Sequence, residues 1–286
     1  MKQIAIWIAP FLLFYSFLLI SCASNKANTQ NSGQKINTVF KTKKGTSLYL
    51  YAYNKALSSL WGVPFEEVDI STPFGTAHVI ISGPQKGPAL LLLHGMNASS
   101  TMWYPNAKIF SEKYRVYCID FILEPSKSAS NGSISKVDDL VSWYDAIFDQ
   151  LRLEKFSIAG ESRGGWLATQ LALHSKKKIT KIALLSPAQT FTWIKPKKEV
   201  FKTIFFEFFP KRRRLREMLE TMMVDVDKLK QPYIDQYYIA VTKSKKSSSI
   251  LQLKPFTDDE LKSLNIPVLL LIGDTDIINN QEGMER

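Results

Sequence analysis

Gly160-Glu161-Ser162-Arg163-Gly164-Gly165 follows an apolar run of β character (Phe156, Ile158, Ala159) and opens a run of helical spacing (Trp166, Leu167, Leu171). A serine between two glycines at a strand-to-helix junction reads as a nucleophile elbow. Such a turn is strained, lifts the hydroxyl clear of the sheet, and leaves no room for a Cβ at Gly160 or Gly164. Ser162 is therefore the candidate nucleophile.

Working outward, the elements on either side alternate. Strands are expected near Glu66–Ile70 and Thr76–Ile81, then as continuous apolar runs at Ala89–Leu93, Arg115–Ile119, Phe156–Ala159, Ile179–Leu185 and Val268–Ile272. Uninterrupted apolar runs are the mark of strands buried on both faces. Helical spacing marks Ser47–Leu60 and the series Val137, Leu140, Val141, Tyr144, Ile147, Phe148, Leu151, with Ser135 and Asp138 as its capping pair. This order predicts an α/β fold with a mostly parallel sheet covered by helices on both faces. The alternation stops over about 189–256, a helical, basic and aromatic stretch placed to form a cap over the site, some of its aromatics lining an apolar pocket.

A serine hydroxyl needs a base, a group that orients the base, and donors for the developing oxyanion. His94-Gly95-Met96-Asn97 directly follows the third apolar strand, where elbow enzymes place one backbone donor; the residue after the nucleophile supplies the other. Met96 and Arg163 are thus nominated through their backbone N–H groups. Asp276, in Gly273-Asp274-Thr275-Asp276 beyond the last apolar strand, is the candidate acid; Asp274 is the runner-up for that role, its structural alternative being a turn-capping carboxylate. His94 lies too early for the order serine, acid, histidine and reads as a brace for its own loop.

From about Ser47 onward the chain resembles the α/β-hydrolase superfamily. It is most similar to Gram-positive bacterial carboxylesterases through His94-Gly-Met-Asn-Ala-Ser-Ser-Thr-Met-Trp-Tyr-Pro-Asn106, Leu185-Ser-Pro-Ala188 and Phe256-Thr-Asp-Asp-Glu260. The resemblance implies an eight-stranded, mostly parallel sheet, hydrolysis of small-molecule or lipid-like esters through an acyl-enzyme, and no cofactor or metal. Arg163 departs from the hydrophobic or aromatic residue usual there, which bears on substrate preference. In that family the catalytic histidine lies beyond the acid, after the last strand. This chain ends ten residues past Asp276. The expectation is a domain (41–286) without its last strand and helix, with Val268–Ile272 as an open apolar edge. His78, within a strand, and His174, at a helix end, are poorly placed as bases. Loss of the base costs on the order of 10⁶ in turnover, so the chain is expected to be impaired. The alternatives are a non-catalytic, membrane-tethered ligand-binding lipoprotein, or a lysophospholipase or acyltransferase.

The N-terminus reads as targeting. Lys2 precedes an uncharged run, Ile4–Ile20, and Leu19-Ile20-Ser21-Cys22 resembles a bacterial lipobox. The expected arrangement is a signal peptide over 1–21, lipidation of Cys22, a flexible polar tether over 22–40, and a membrane-anchored, extracytoplasmic, monomeric protein. The net charge is +11. Its cationic cluster, Lys195 to Arg216, carries no nucleic-acid recognition motif and reads as a solvated face, or one suited to anionic lipids or wall polymers. The two cysteines form no disulfide framework, and Cys118 reads as a buried strand residue.

Overall fold

The computed structural model describes residues 39–175, 178–195, 197–245 and 253–279. The predicted signal peptide, Cys22 and most of the predicted tether lie outside them. Val39 and Phe40, assigned to the tether, belong to the folded unit instead. Phe40 is buried, lies tilted against Tyr49 with ring centroids 4.9 Å apart and pairs with Ser244, because an aromatic ring at the end of a polar stretch gains more from apolar cover than from water. No helix among the described residues is long and apolar enough to cross a membrane.

Chain order gives α1 (Lys43–Leu60), β1 (Phe65–Thr72), β2 (Gly75–Ser82), β3 (Ala89–Leu93), α2 (Tyr104–Ser111), β4 (Arg115–Ile119), β5 (Ala129–Ser130), α3 (Val137–Gln150), β6 (Phe156–Glu161), α4 (Arg163–His174), β7 (Ile179–Leu185), α5 (Lys198–Phe208), α6 (Arg212–Met222), α7 (Gln231–Lys243), α8 (Asp258–Lys262) and β8 (Val268–Leu271). One sheet runs β1-β2-β4-β3-β6-β7-β8. β1, β2 and β4 pair antiparallel in turn, and every contact from β4 through β3, β6 and β7 to β8 is parallel. All seven strands expected from the apolar runs are present. The eighth is β5, a two-residue strand on β2 that no apolar run announces.

Alternation along β3 sorts the core onto two faces. Leu91 and Leu93 join Leu140, Tyr144 and Phe148 of α3 and Trp166, Leu167 and Leu171 of α4. Leu90 and Leu92 face Tyr49, Tyr53, Leu57 and Trp61 of the α1 side, with Ala107 of α2 and Ala240 of α7. Two local expectations shift. α1 begins earlier than Ser47, where Thr42 Oγ1 accepts from the Gly45 N–H at 3.0 Å. The α3 cap uses Asp139 rather than Asp138: its carboxylate accepts from the N–H and Oγ of Ser135, both at 2.8 Å, while Asp138 faces Lys136 at 3.5 Å.

The stretch read as a cap divides. Phe206 of α5 and Leu215 and Met218 of α6 form a small core, against which Ile234, Tyr237, Tyr238 and Val241 of α7 pack. The middle of α7 also packs on the main body. Buried Gln236 accepts from Thr101 Oγ1 at 2.8 Å and donates to Ser99 Oγ at 2.7 Å and to the Tyr49 hydroxyl at 3.3 Å. Tyr49 in turn donates to the Pro125 carbonyl at 2.6 Å. A buried amide satisfied on both ends fixes where α7 sits against α1. β8 lies at the edge of the described sheet, with Val268, Leu269 and Leu271 exposed. Cys118 is buried and free, as its strand position implies, and burial raises its thiol pKa.

Candidate active site

The elbow is built as its sequence implies. Ser162 sits between β6 and α4 at φ 53°, ψ −117°, a left-handed backbone uncommon for a serine. Hydrogen bonds fix the turn from both sides. The Ser162 N–H donates to the Leu185 carbonyl at 2.9 Å, and its own carbonyl accepts from the Gly165 and Ala188 N–H groups, each at 3.0 Å. Three glycines make room. A Cβ at Gly160 would collide with the Gly164 carbonyl, and one at Gly164 with the Leu93 carbonyl. One at Gly165 would sit 2.7 Å from Pro187 Cβ.

The parallel pairing of Leu93 with Gly160 brings the loop after β3 alongside Ser162. A Cβ at Gly95 would lie 3.4 Å from Ser162 Cβ, so the stretch carrying Met96 borders the serine directly. His94 holds that loop from below. Its ring is buried, with Nδ1 2.9 Å from the Gly95 carbonyl and Nε2 accepting from the Phe121 N–H at 2.9 Å. Burial, with the Arg163 charge second, pushes its pKa down to about 4, so the imidazole is neutral at pH 7. With both nitrogens occupied, His94 braces the loop.

A second brace was not foreseen. The Arg163 side chain is buried, its guanidinium 4.3 Å from the Phe121 ring centroid. It donates to the Gly95 carbonyl at 3.2 Å and forms an ion pair with buried Glu124. Glu124 also accepts from the Asn97 N–H. Burial lowers the Arg163 pKa to about 9. The residue that departs from the usual hydrophobic type thus clamps the proposed donor loop with its side chain. The only sequence signal was the departure itself; Glu124, in the loop after β4, had none. From the cap, Glu207 on α5 accepts from Asn97 Nδ2 at 2.9 Å.

Asp276 lies on the loop after β8. Its Oδ1 accepts from the Ile278 and Asn279 N–H groups, both at 2.7 Å, and its carbonyl accepts from Lys197 Nζ at 3.0 Å. Asp274 is exposed. The Asp276 charge reaches the elbow: burial first and Asp276 second raise the Glu161 carboxyl to about 7. Glu161, the residue before Ser162, packs against Gly95, and its charge reaches Tyr233 and Tyr237 of α7. The sequence reading passed over it.

The chain's three histidines are all described. His78 is held by Asp69 at 2.6 Å and Glu67 at 3.0 Å on β1, and His174, at the end of α4, faces Asp145 at 3.5 Å. Neither these nor His94 hydrogen-bonds Ser162 among the described residues. A cavity of about 400 Å³ lies within the cap between α6 and α7, lined by residues such as Leu215, Leu219 and Ile234, apart from the elbow.

A strained serine elbow beside a braced backbone loop, at the carboxyl ends of parallel strands, is a family signature, and a model of the α/β hydrolase fold matches residues 88–286. The chain belongs to the α/β-hydrolase fold family. Among α/β hydrolases it is 35% identical over 238 residues to the uncharacterized carboxylesterase nap of Bacillus subtilis, covering 80% of this chain and 77% of that one. It is 32% identical over 242 residues to the carboxylesterase YbfK of the same organism, covering 82% and 79%. The crystal structure of naproxen esterase (carboxylesterase NP) from Bacillus subtilis superimposes with a TM-score of 0.79 at 33% identity, over 86% of this chain and 87% of that one.

Proposed function

We propose that this α/β hydrolase is built to cleave carboxylic esters through an acyl-enzyme, with Ser162 as nucleophile, Asp276 as the orienting acid, and the Met96 and Arg163 N–H groups as oxyanion donors. Support comes from the elbow geometry together with relatives named as carboxylesterases. The single observation that carries the reading is Gly95 beside Ser162, which borders the nucleophile with the loop able to receive negative charge. In the reaction Ser162 Oγ attacks the ester carbonyl carbon, the carbonyl oxygen takes up charge toward the two N–H groups, and the alcohol leaves. Water then releases the acid. Each half needs a base for the attacking proton, and none of the chain's histidines is placed to serve Ser162.

A fluorophosphonate probe tests this. Labelling of the wild-type chain that disappears in Ser162→Ala is the expected outcome. A wild-type chain that takes up no label overturns the hydrolytic reading and favours a non-catalytic, ligand-binding role. We further propose that Cys22 is lipidated and tethers the protein to a membrane outside the cytoplasm. Incorporation of labelled palmitate that is lost in Cys22→Ala supports this, and unchanged incorporation overturns it.

A further inference from the structure

The cap carries a surface that ester hydrolysis does not use. Along α5, Phe201, Ile204, Phe205 and Phe208 recur at intervals of three and four and so share one face. That face is turned to solvent: Phe201 is 60% exposed, Phe205 50% and Phe208 58%, and Phe209 just past the helix is 58% exposed. The opposite side of α5 holds Phe206, fully buried against α6. A helix of this small cap has its core contact already, and displays a second apolar stripe.

Cations surround the stripe. Lys198, Lys202 and Lys211 are exposed and in no ion pair among the described residues. Arg214 lies over the Phe205 ring at 4.3 Å from its centroid and reaches Phe209 at 6.0 Å, while donating to the Phe209 carbonyl at 2.6 Å. The arginine thus holds two exposed rings together and keeps its charge at their border. Arg212, Arg213 and Arg216 are neutralised by local carboxylates and add less. Of the two acids between residues 195 and 216, Glu207 is turned to Asn97.

A large aromatic stripe fringed by unneutralised lysines matches an interface with apolar depth beneath an anionic surface. A second copy of the chain fits worse, because a symmetric contact through the stripe would bring the same lysines face to face. We propose that the α5 face docks on bilayers containing anionic phospholipid, with Phe201, Ile204, Phe205 and Phe208 among the upper acyl chains and Lys198, Lys202 and Lys211 at the headgroups. This does not depend on ester hydrolysis. Through Glu207 and Asn97 it would set the donor loop beside the lipid.

The test uses the full chain with Trp7→Phe and Trp193→Phe, in which the remaining tryptophans (Trp61, Trp103, Trp143 and Trp166) are buried, and with Phe208→Trp as the reporter. It is mixed with phosphatidylcholine vesicles bearing brominated acyl chains, with and without phosphatidylglycerol. The expected result is quenching of the reporter only when phosphatidylglycerol is present, with the vesicle concentration for half-quenching rising about tenfold or more in Lys198→Glu/Lys202→Glu. Quenching reads depth at the stripe, so vesicle capture by the apolar run Ile4–Ile20 does not mimic it. An unquenched reporter overturns the proposal. So does equal quenching without phosphatidylglycerol or in the Lys→Glu variant. Protection from acrylamide that grows with protein concentration in the absence of lipid assigns the stripe to a second copy and likewise overturns it.

Discussion

Ser162 is flanked by two charged residues, and each has a separate physical consequence. Arg163 is buried with its charge answered by Glu124. Removing one member of a buried pair leaves the other unanswered, whereas replacing both by apolar residues is often close to neutral. Glu124→Leu is therefore expected to lower stability by about 3–5 kcal/mol, and Glu124→Leu/Arg163→Leu to recover most of that loss. Urea unfolding of the two variants checks it; a double variant no more stable than the single one would refute the pairing. Glu161 behaves in the opposite sense. Its carboxyl titrates near 7 when folded against an ordinary value of 4.5. Between those values the native state holds a proton that the unfolded chain has lost, so stability declines as pH rises from about 4.5 to 7 and stays reduced above. Glu161→Gln removes that decline, a gain of at most ~3 kcal/mol at pH 8, with no change at pH 4. Unfolding curves at the two pH values measure it, and an equal shift at both would contradict the assignment. The strained turn at Ser162 was legible because its signal is local, a serine and its glycines within six residues. Glu124 was not, since its partners Asn97 and Arg163 meet it only once β3, β4 and β6 lie side by side. Glu161 stood inside the motif, yet its altered acidity comes first from burial in the folded site and second from Asp276, more than a hundred residues away.

At the scale of elements, apolar runs gave the strands with little ambiguity, because a strand buried on both faces leaves an unbroken trace. β5 left none: two residues paired to β2 through backbone alone carry no side-chain pattern. α7 serves both the cap core and the main body, which its sequence hides for a related reason. Its aromatic and polar residues look like those of α5 and α6, and only the contacts of Gln236 and Ala240 show that it is also tied to the main body. The elbow makes the sharpest demand on element packing. α4 can approach β3 only where Gly164 lacks a Cβ, since one there would run into the Leu93 carbonyl, a backbone group that cannot swing aside. Gly164→Ala is expected to push α4 away from the sheet and cost on the order of 2–4 kcal/mol, in the range of overpacked cores with strain added. Thermal unfolding reads the cost. A midpoint within a degree of the wild type would mean the helix shifts freely, and that the elbow is less tightly packed than its contacts indicate.

For the molecule as a whole, the order of elements predicted the class of fold, and the family match follows it. What the pattern did not reveal is how distant parts of the chain are tied together. Tyr49 and Gln236 share a buried hydrogen bond across 187 positions of sequence, and Phe40 reaches Ser244. During synthesis at ~5–20 residues per second, the partner of Tyr49 emerges roughly ten to forty seconds after it. For that interval Tyr49 and its neighbours on α1 lack the cover that α7 provides. The nascent chain thus carries a sticky early helix awaiting a late one, and its yield in a cell should depend on what shields that helix while the ribosome finishes.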